Sequence, residues 1–142
     1  MDTPADHPLS GADFIRQLFT HSPYVAHLGM QLAEIQPGLA TLTLPFTDSL
    51  VTVGTIVHGG ALASLIDTAA MVAAWSDAQV PAKPRGTTVN LTVAYLAAAE
   101  KEDLQAIARV LRRGRSLIYL DIEVKGASGN IVAKGLVTYK LG

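Results

Sequence analysis

The stretch Gly54-Thr-Ile-Val-His58-Gly59-Gly60-Ala-Leu-Ala-Ser-Leu-Ile-Asp67-Thr68 decides how this chain is read. Its His-Gly-Gly triplet stands before Ala61–Trp75, a segment made almost entirely of Ala, Leu, Ile, Met and Val. That composition predicts a helix over roughly Gly59–Ser76. Paired glycines let a ligand approach the backbone closely. The first N–H groups of a helix have no internal acceptor and lie at the positive end of its dipole, where a developing oxyanion is stabilised. Asp67 is the anomaly in this segment. Its helical neighbours three and four residues away are Ala63, Ser64, Ala70 and Met71, so no Lys or Arg within the helix neutralises it. An unpaired buried carboxylate is costly, and something in the fold must use or satisfy it.

Working outward, Ser10 is placed to cap a first helix on which Phe14, Ile15, Leu18 and Phe19 form an apolar stripe. Ser22-Pro23 ends it and begins a short turn through Tyr24–Leu28. Met30–Ile35 reads as extended, Gln36-Pro37-Gly38 as a hairpin turn, and Leu39–Leu44 as a strand in which Leu and Thr alternate. A loop over Phe46–Val57 leads into the long helix, and Pro81 and Pro84 mark the loop after it. Four strands are then expected, at Thr87–Leu96, Leu104–Arg113, Ser116–Lys125 and Ile131–Leu141. Two strands, one long helix and a four-strand meander make an α+β pattern. A helix apolar all round must be covered on most sides. The simplest cover is an antiparallel sheet curled around it, with a second subunit closing the open side.

The 142 residues are read as a single domain, with residues 1–9 a frayed start. With 49% apolar and 16% charged residues, the chain has the makings of a large core. A net charge of −1 gives no general attraction to nucleic acid or anionic membrane. The absence of cysteine excludes disulfides, a thiolate nucleophile and a thiolate metal site. His7, His21 and His27 have no partner at ligand spacing, so no metal is expected. Met1–Ser10 lacks a basic segment followed by an apolar one, and Gly59–Trp75 is interrupted by Asp67 and short for a membrane span. A cytoplasmic location is the expectation.

Gly59 and Asp67 stand eight residues apart on one helix, about 12 Å at the usual rise. A base and an oxyanion donor must each lie about 3 Å from the reacting groups, so one helix cannot bring both to one carbonyl. Two copies packed antiparallel about a two-fold axis can, each Gly59 facing the other's Asp67. A catalytic reading of this stretch therefore requires an oligomer.

His58-Gly59-Gly60 followed by Asp67 resembles the hotdog-fold acyl-CoA thioesterases, most closely the phenylacetate-degradation-type (PaaI-like) group. Val110-Leu-Arg-Arg-Gly-Arg-Ser116 and Gly129-Asn-Ile-Val-Ala-Lys134 are similar to that group too, so the resemblance spans roughly Gly29–Leu141. It implies an antiparallel sheet wrapped around one central helix, and a tetramer of two dimers that hydrolyses thioesters of coenzyme A without a cofactor. It also implies that Asp67 is nucleophile or general base, and that Gly59 N–H, with Gly60 N–H nearby, polarises the thioester carbonyl while His58 shapes the pocket. A hydroxyl at the start of the next strand is implied to help hold water, which points to Thr88 with Thr87 as the fallback. One departure stands six residues before His58, where many relatives carry Asn or Gln and this chain has Thr52.

Arg112, Arg113 and Arg115 around Gly114, with Ser116, make a basic turn suited to the phosphates of CoA. The competing reading is a solvated hairpin end; nucleic acid is disfavoured because no aromatic residues interleave with the arginines. Met71 and Trp75 are read as core residues, with an acyl-pocket border as the alternative. Two other functions stay open. A hotdog enoyl-CoA hydratase is disfavoured because its Asp-x-Asn-Pro-x-His arrangement finds Val53 five residues before His58. A non-catalytic acyl-CoA-binding or regulatory module has no use for an uncompensated Asp67.

Overall fold

The apolar segment is one helix lying against one face of an antiparallel sheet. The computed structural model describes residues 8–142, so residues 1–7 of the expected frayed start lie outside the described residues. The elements in chain order are α1 (Gly11–His21), α2 (Pro23–Leu28), β1 (Gln31–Gln36), β2 (Leu39–Leu44), β3 (Val51–Val53), β4 (Ile56–Val57), α3 (Gly59–Trp75), β5 (Gly86–Tyr95), β6 (Leu104–Arg113), β7 (Leu117–Gly126) and β8 (Ile131–Leu141). The six long strands pair antiparallel in the order β1-β2-β6-β7-β8-β5, while β3 and β4 form a small hairpin of their own. This is the expected α+β hotdog arrangement.

Local chemistry explains the boundaries. Ser10 Oγ accepts from Asp13 N–H at 3.1 Å and starts α1. Gly29, at φ 82°, ends α2 in the left-handed conformation that glycine adopts without strain. The loop expected over Phe46–Val57 contains one turn of 3-10 helix at Asp48–Leu50 and the β3–β4 hairpin. Strands of two and three residues are too short to show alternation.

Along the sheet, Leu42, Ala106, Ala108, Leu120, Ile122 and Val137 turn inward onto α3 and are buried. Ile15 of α1 is buried as well, and the Phe14 and Trp75 rings meet at 4.9 Å between centroids. Trp75 is thus a core residue, as expected. Gly135 sets how closely the helix approaches β8. A Cβ there would stand 2.5 Å from Ile66 Cγ2. Gly135→Ala is therefore expected to cost about 1–3 kcal/mol of stability through overpacking. Urea unfolding at fixed protein concentration checks it, and an unchanged midpoint would show that the helix can shift freely.

The sheet covers only part of α3. Within Ala61–Trp75 every residue is buried except Ala63, Ser64, Asp67, Thr68 and Met71. With the exposed Gly60 these follow helical spacing and make one open stripe. Met71, partly buried, packs against the core from the edge of this stripe. Beside it, β5 is the last strand of the sheet, its outer edge is unpaired, and Val89 on it is 56% exposed.

Candidate active site

The loop before α3 is tied down from two sides. His58 N–H donates to Leu50 O at 2.7 Å, and Val57 N–H donates to Ala99 O at 2.9 Å. His58 then caps the helix with its own ring: Nδ1 accepts from Gly60 N–H at 2.7 Å. In this geometry Nδ1 acts as the acceptor, which leaves Nε2 as the ring's donor position. This changes one expectation. Gly60 N–H is satisfied by His58 and is not an oxyanion donor in this geometry. Gly59 N–H meets no acceptor among the described residues, and it is the free donor at the positive end of α3.

Tyr95, which had no expected role, stands over Gly59. Its hydroxyl donates to Gly59 O at 2.9 Å, and a Cβ at Gly59 would come within 3.3 Å of its ring. No local motif marks Tyr95, because it reads as the last aromatic residue of a strand. Gly59 opens into a cavity of about 410 Å³ whose wall includes Thr52, Leu62, Tyr95 and Ala97–Ala99. Thr52 thus lines the same cavity as Gly59. Every residue lining this cavity is uncharged.

Asp67 lies two turns further along, half-buried on the open stripe rather than sealed inside the protomer. It does not line the Gly59 cavity. Thr88 Oγ1 donates to Asp67 Oδ1 at 2.6 Å, which leaves Oδ2 without a protein donor among the described residues. No Lys or Arg forms an ion pair with Asp67 among those residues. The unpaired carboxylate is therefore present, held on one side by a hydroxyl.

A bulge puts Thr88 there. Leu91 pairs with Val137 on the inner face, and strict alternation from Leu91 would turn Thr87 inward. The register slips between Thr88 and Asn90, so Val89 bulges outward at the sheet edge and Thr88 pairs with the inward Tyr139. Thr87 pairs with Lys140 and is exposed, facing away from Asp67. Behind Thr88, Tyr139 OH accepts from Trp75 Nε1 at 3.1 Å. Burial pushes the Tyr139 phenol above its usual pKa; the Trp75 hydrogen bond pulls it back, and the Asp67 charge pushes it up further. The phenol therefore stays neutral at ordinary pH.

A second bulge divides the arginines. The register of β6 slips between Val110 and Arg112, leaving Leu111 63% exposed. Arg113 thereby pairs with the inward Ile118 and reaches the C-terminus of α3, donating to Ala74 O at 3.1 Å and pairing with Asp77. Its guanidinium thus engages the helix end, where a cation is favoured, instead of the basic cleft. Arg112 turns outward with Tyr119, and together with Arg115 and Ser116 it lines a cleft of about 500 Å³. Among the described residues no group of three or more His, Cys, Asp or Glu side chains is placed to hold a metal ion. No helix is long and apolar enough to cross a membrane among them.

Known proteins resemble this chain in sequence and in fold. The sequence pattern of the thioesterase superfamily matches residues 54–133. A protein of Deinococcus radiodurans named "Putative esterase" is 34% identical over 116 residues, 81% of this chain and 76% of that protein. The fold is similar to that of the PaaI protein from the phenylacetic acid degradation operon of E. coli, with a TM-score of 0.80 and 23% identity over 93% of this chain and 94% of that one. It is also similar to a hypothetical thioesterase protein from Streptococcus pneumoniae determined with coenzyme A, with a TM-score of 0.71 and 20% identity over 80% of this chain and 85% of that one. The pattern match over residues 54–133 and the 34% identity to the Deinococcus radiodurans protein show the family: the chain belongs to the thioesterase superfamily and is a thioester hydrolase of the hotdog fold.

Proposed function

We propose that this protein hydrolyses the thioester of an aryl- or medium-chain acyl-CoA, in sites that each take Asp67 from one subunit and Gly59 from another. The observation that carries the reading is the separation of the two halves. Asp67 with Thr88 lies on the open stripe, and Gly59 lines a cavity of the same protomer that Asp67 does not reach. A second copy laid antiparallel along the stripe and the free β5 edge supplies each half with its complement. Two such dimers assembling into a tetramer follow the pattern that the PaaI-like resemblance implies.

In this scheme Thr88 fixes one oxygen of Asp67, and Oδ2 accepts the proton of an attacking water. The water oxygen bonds to the carbonyl carbon. Negative charge gathers on the carbonyl oxygen, where Gly59 N–H of the partner subunit and the helix dipole stabilise it. The carbon–sulfur bond then breaks, and the proton on Asp67 passes to the departing CoA sulfur. The uncharged cavity at Gly59, about 410 Å³, has the volume and the character for an apolar acyl group. Thr52 contributes a shorter polar side chain there than Asn or Gln would. The test is release of free thiol from a panel of acyl-CoAs. If no acyl-CoA is cleaved while CoA still binds, the protein is an acyl-CoA-binding module and this reading fails.

Arg112, Arg115 and Ser116 are assigned to CoA phosphates on the strength of their shared cleft. Arg112→Ala and Arg115→Ala are expected to raise KM for acyl-CoA roughly tenfold each, with kcat little changed, because binding remote from the chemistry is lost. Arg113→Ala is expected to leave KM near the wild-type value and lower stability by about 1 kcal/mol, through loss of its contact with the helix end. Steady-state kinetics and thermal unfolding separate the three. Equal effects of all three variants on KM would reject the division that the bulge makes.

A further inference from the structure

Six of the eleven Lys and Arg residues, Lys83, Arg85, Arg112, Arg113, Arg115 and Lys140, stand at one end of the sheet. The topology gathers them there. The start of β5, the end of β6, the start of β7 and the end of β8 are adjacent in the antiparallel order. Only Arg113 has an ion-pair partner among the described residues, Asp77; the other five have none. Uncompensated like charges repel, and a cluster of this kind is stabilised by a bound anion.

The cluster opens into two clefts, not one. Beside the cleft of Arg112, Arg115 and Ser116 lies a smaller one of about 290 Å³, lined by Arg85, Gly86, Thr87, Lys140 and Gly142. The two are stitched together by Leu141 N–H donating to Ser116 O and Gly142 N–H donating to Arg85 O, both backbone bonds. Lys140 pairs with Thr87 on one side and Leu117 on the other, so it stands on the strand between the clefts. From β5 to β7 is two strand spacings, about 10 Å. Arg85 is three residues from Thr88, again about 10 Å.

Resting on the acyl-CoA reading, we propose that Arg85 and Lys140, with the Thr87 hydroxyl, form a second phosphate site that takes the 3′-phosphate monoester of the CoA ribose, while the larger cleft takes the pyrophosphate. A monoester is compact and close to doubly charged at neutral pH, which suits a small cleft with two cations and a hydroxyl. The larger cleft has two arginines and room for two linked phosphates. This makes the site selective for CoA over a pantetheine phosphate carried on a protein, which has a single phosphodiester and no 3′-phosphate. It also gives the exposed Thr87 a place, in the phosphate cleft rather than beside Asp67.

The test is calorimetric titration of the full chain with adenosine 3′,5′-bisphosphate and with adenosine 5′-monophosphate, in the wild type and in Arg85→Ala and Lys140→Ala. Both side chains are free of ion pairs among the described residues, so both variants are expected to fold, and circular dichroism checks that. The wild type is expected to bind the bisphosphate at least about tenfold more tightly, and each variant to lose most of that preference while its affinity for the monophosphate stays unchanged. Kinetics with acyl-CoA and 3′-dephospho-acyl-CoA are expected to show the same pattern in KM. Equal weakening of both nucleotides, or of neither, overturns the proposal. So does a preference for acylated carrier protein that the same variants abolish. The nucleotide result stands apart from the chemistry: a protein that shows it yet cleaves no acyl-CoA would sink the proposed hydrolysis and keep the phosphate site.

Discussion

Asp67→Asn is expected to lower kcat for acyl-CoA hydrolysis by at least about a hundredfold, with the fold and the affinity for CoA nearly intact. The amide matches the carboxylate in size and can still accept from Thr88 Oγ1, now at 2.6 Å from Oδ1. What it cannot do is accept a proton from water at the position of Oδ2. A structural carboxylate would behave in the opposite way. If Asp67 served only to satisfy Thr88, the amide would replace it with little loss of turnover and some change in stability. Retention of more than about half of the wild-type kcat would therefore make Asp67 structural and remove the base from the mechanism. The rest of the helix makes the large effect credible. Asp67 is the one charged residue within Gly59–Trp75, and among the described residues it has a hydroxyl partner but no cation.

Much of this was legible in the chain before the structure. Leu104–Arg113 and Ile131–Leu141 are strands at the predicted bounds, because each is a strand-length run rich in apolar residues, bounded by turn residues. The helix from Gly59 was readable because an apolar run of that length, free of proline, has no other economical conformation. The lone Asp67 and the glycines at the helix start were readable for a chemical reason: each is an exception to the pattern around it.

What was hidden depends on register, which no single strand contains. Thr87 and Thr88 are identical side chains on adjacent positions, and so are Arg112 and Arg113. In each pair one residue reaches α3 and the other turns away, and a bulge one residue long decides which. The resemblance to known proteins pointed to Thr88, whereas alternation alone would have favoured Thr87. Nothing in the basic turn separated Arg113 from its neighbours. The His58 ring capping Gly60 N–H was equally invisible, since a histidine before two glycines reads as a pocket residue until its Nδ1 is placed. Tyr95 lies 36 positions from Gly59 and meets it only because β5 ends over the start of α3.

The central claim is that each site is shared, and complementation between two inactive chains tests it most directly. Asp67→Asn removes the base from both sites of a dimer. Gly59→Val fills both oxyanion positions, because even a bare Cβ there comes within 3.3 Å of the Tyr95 ring, and two further methyls must displace that ring or block the N–H. When the two variants are refolded together in equal amounts, random pairing makes half the dimers mixed. In a mixed dimer one site takes Gly59 from the first chain and Asp67 from the second, and is intact, while its companion carries both lesions. About a quarter of wild-type activity is then expected to return, from a mixture in which each variant alone is inactive. Mass spectrometry establishes that the mixed dimers are present. Mixed dimers with no recovered activity would place Gly59 and Asp67 of every working site in the same subunit and contradict the account.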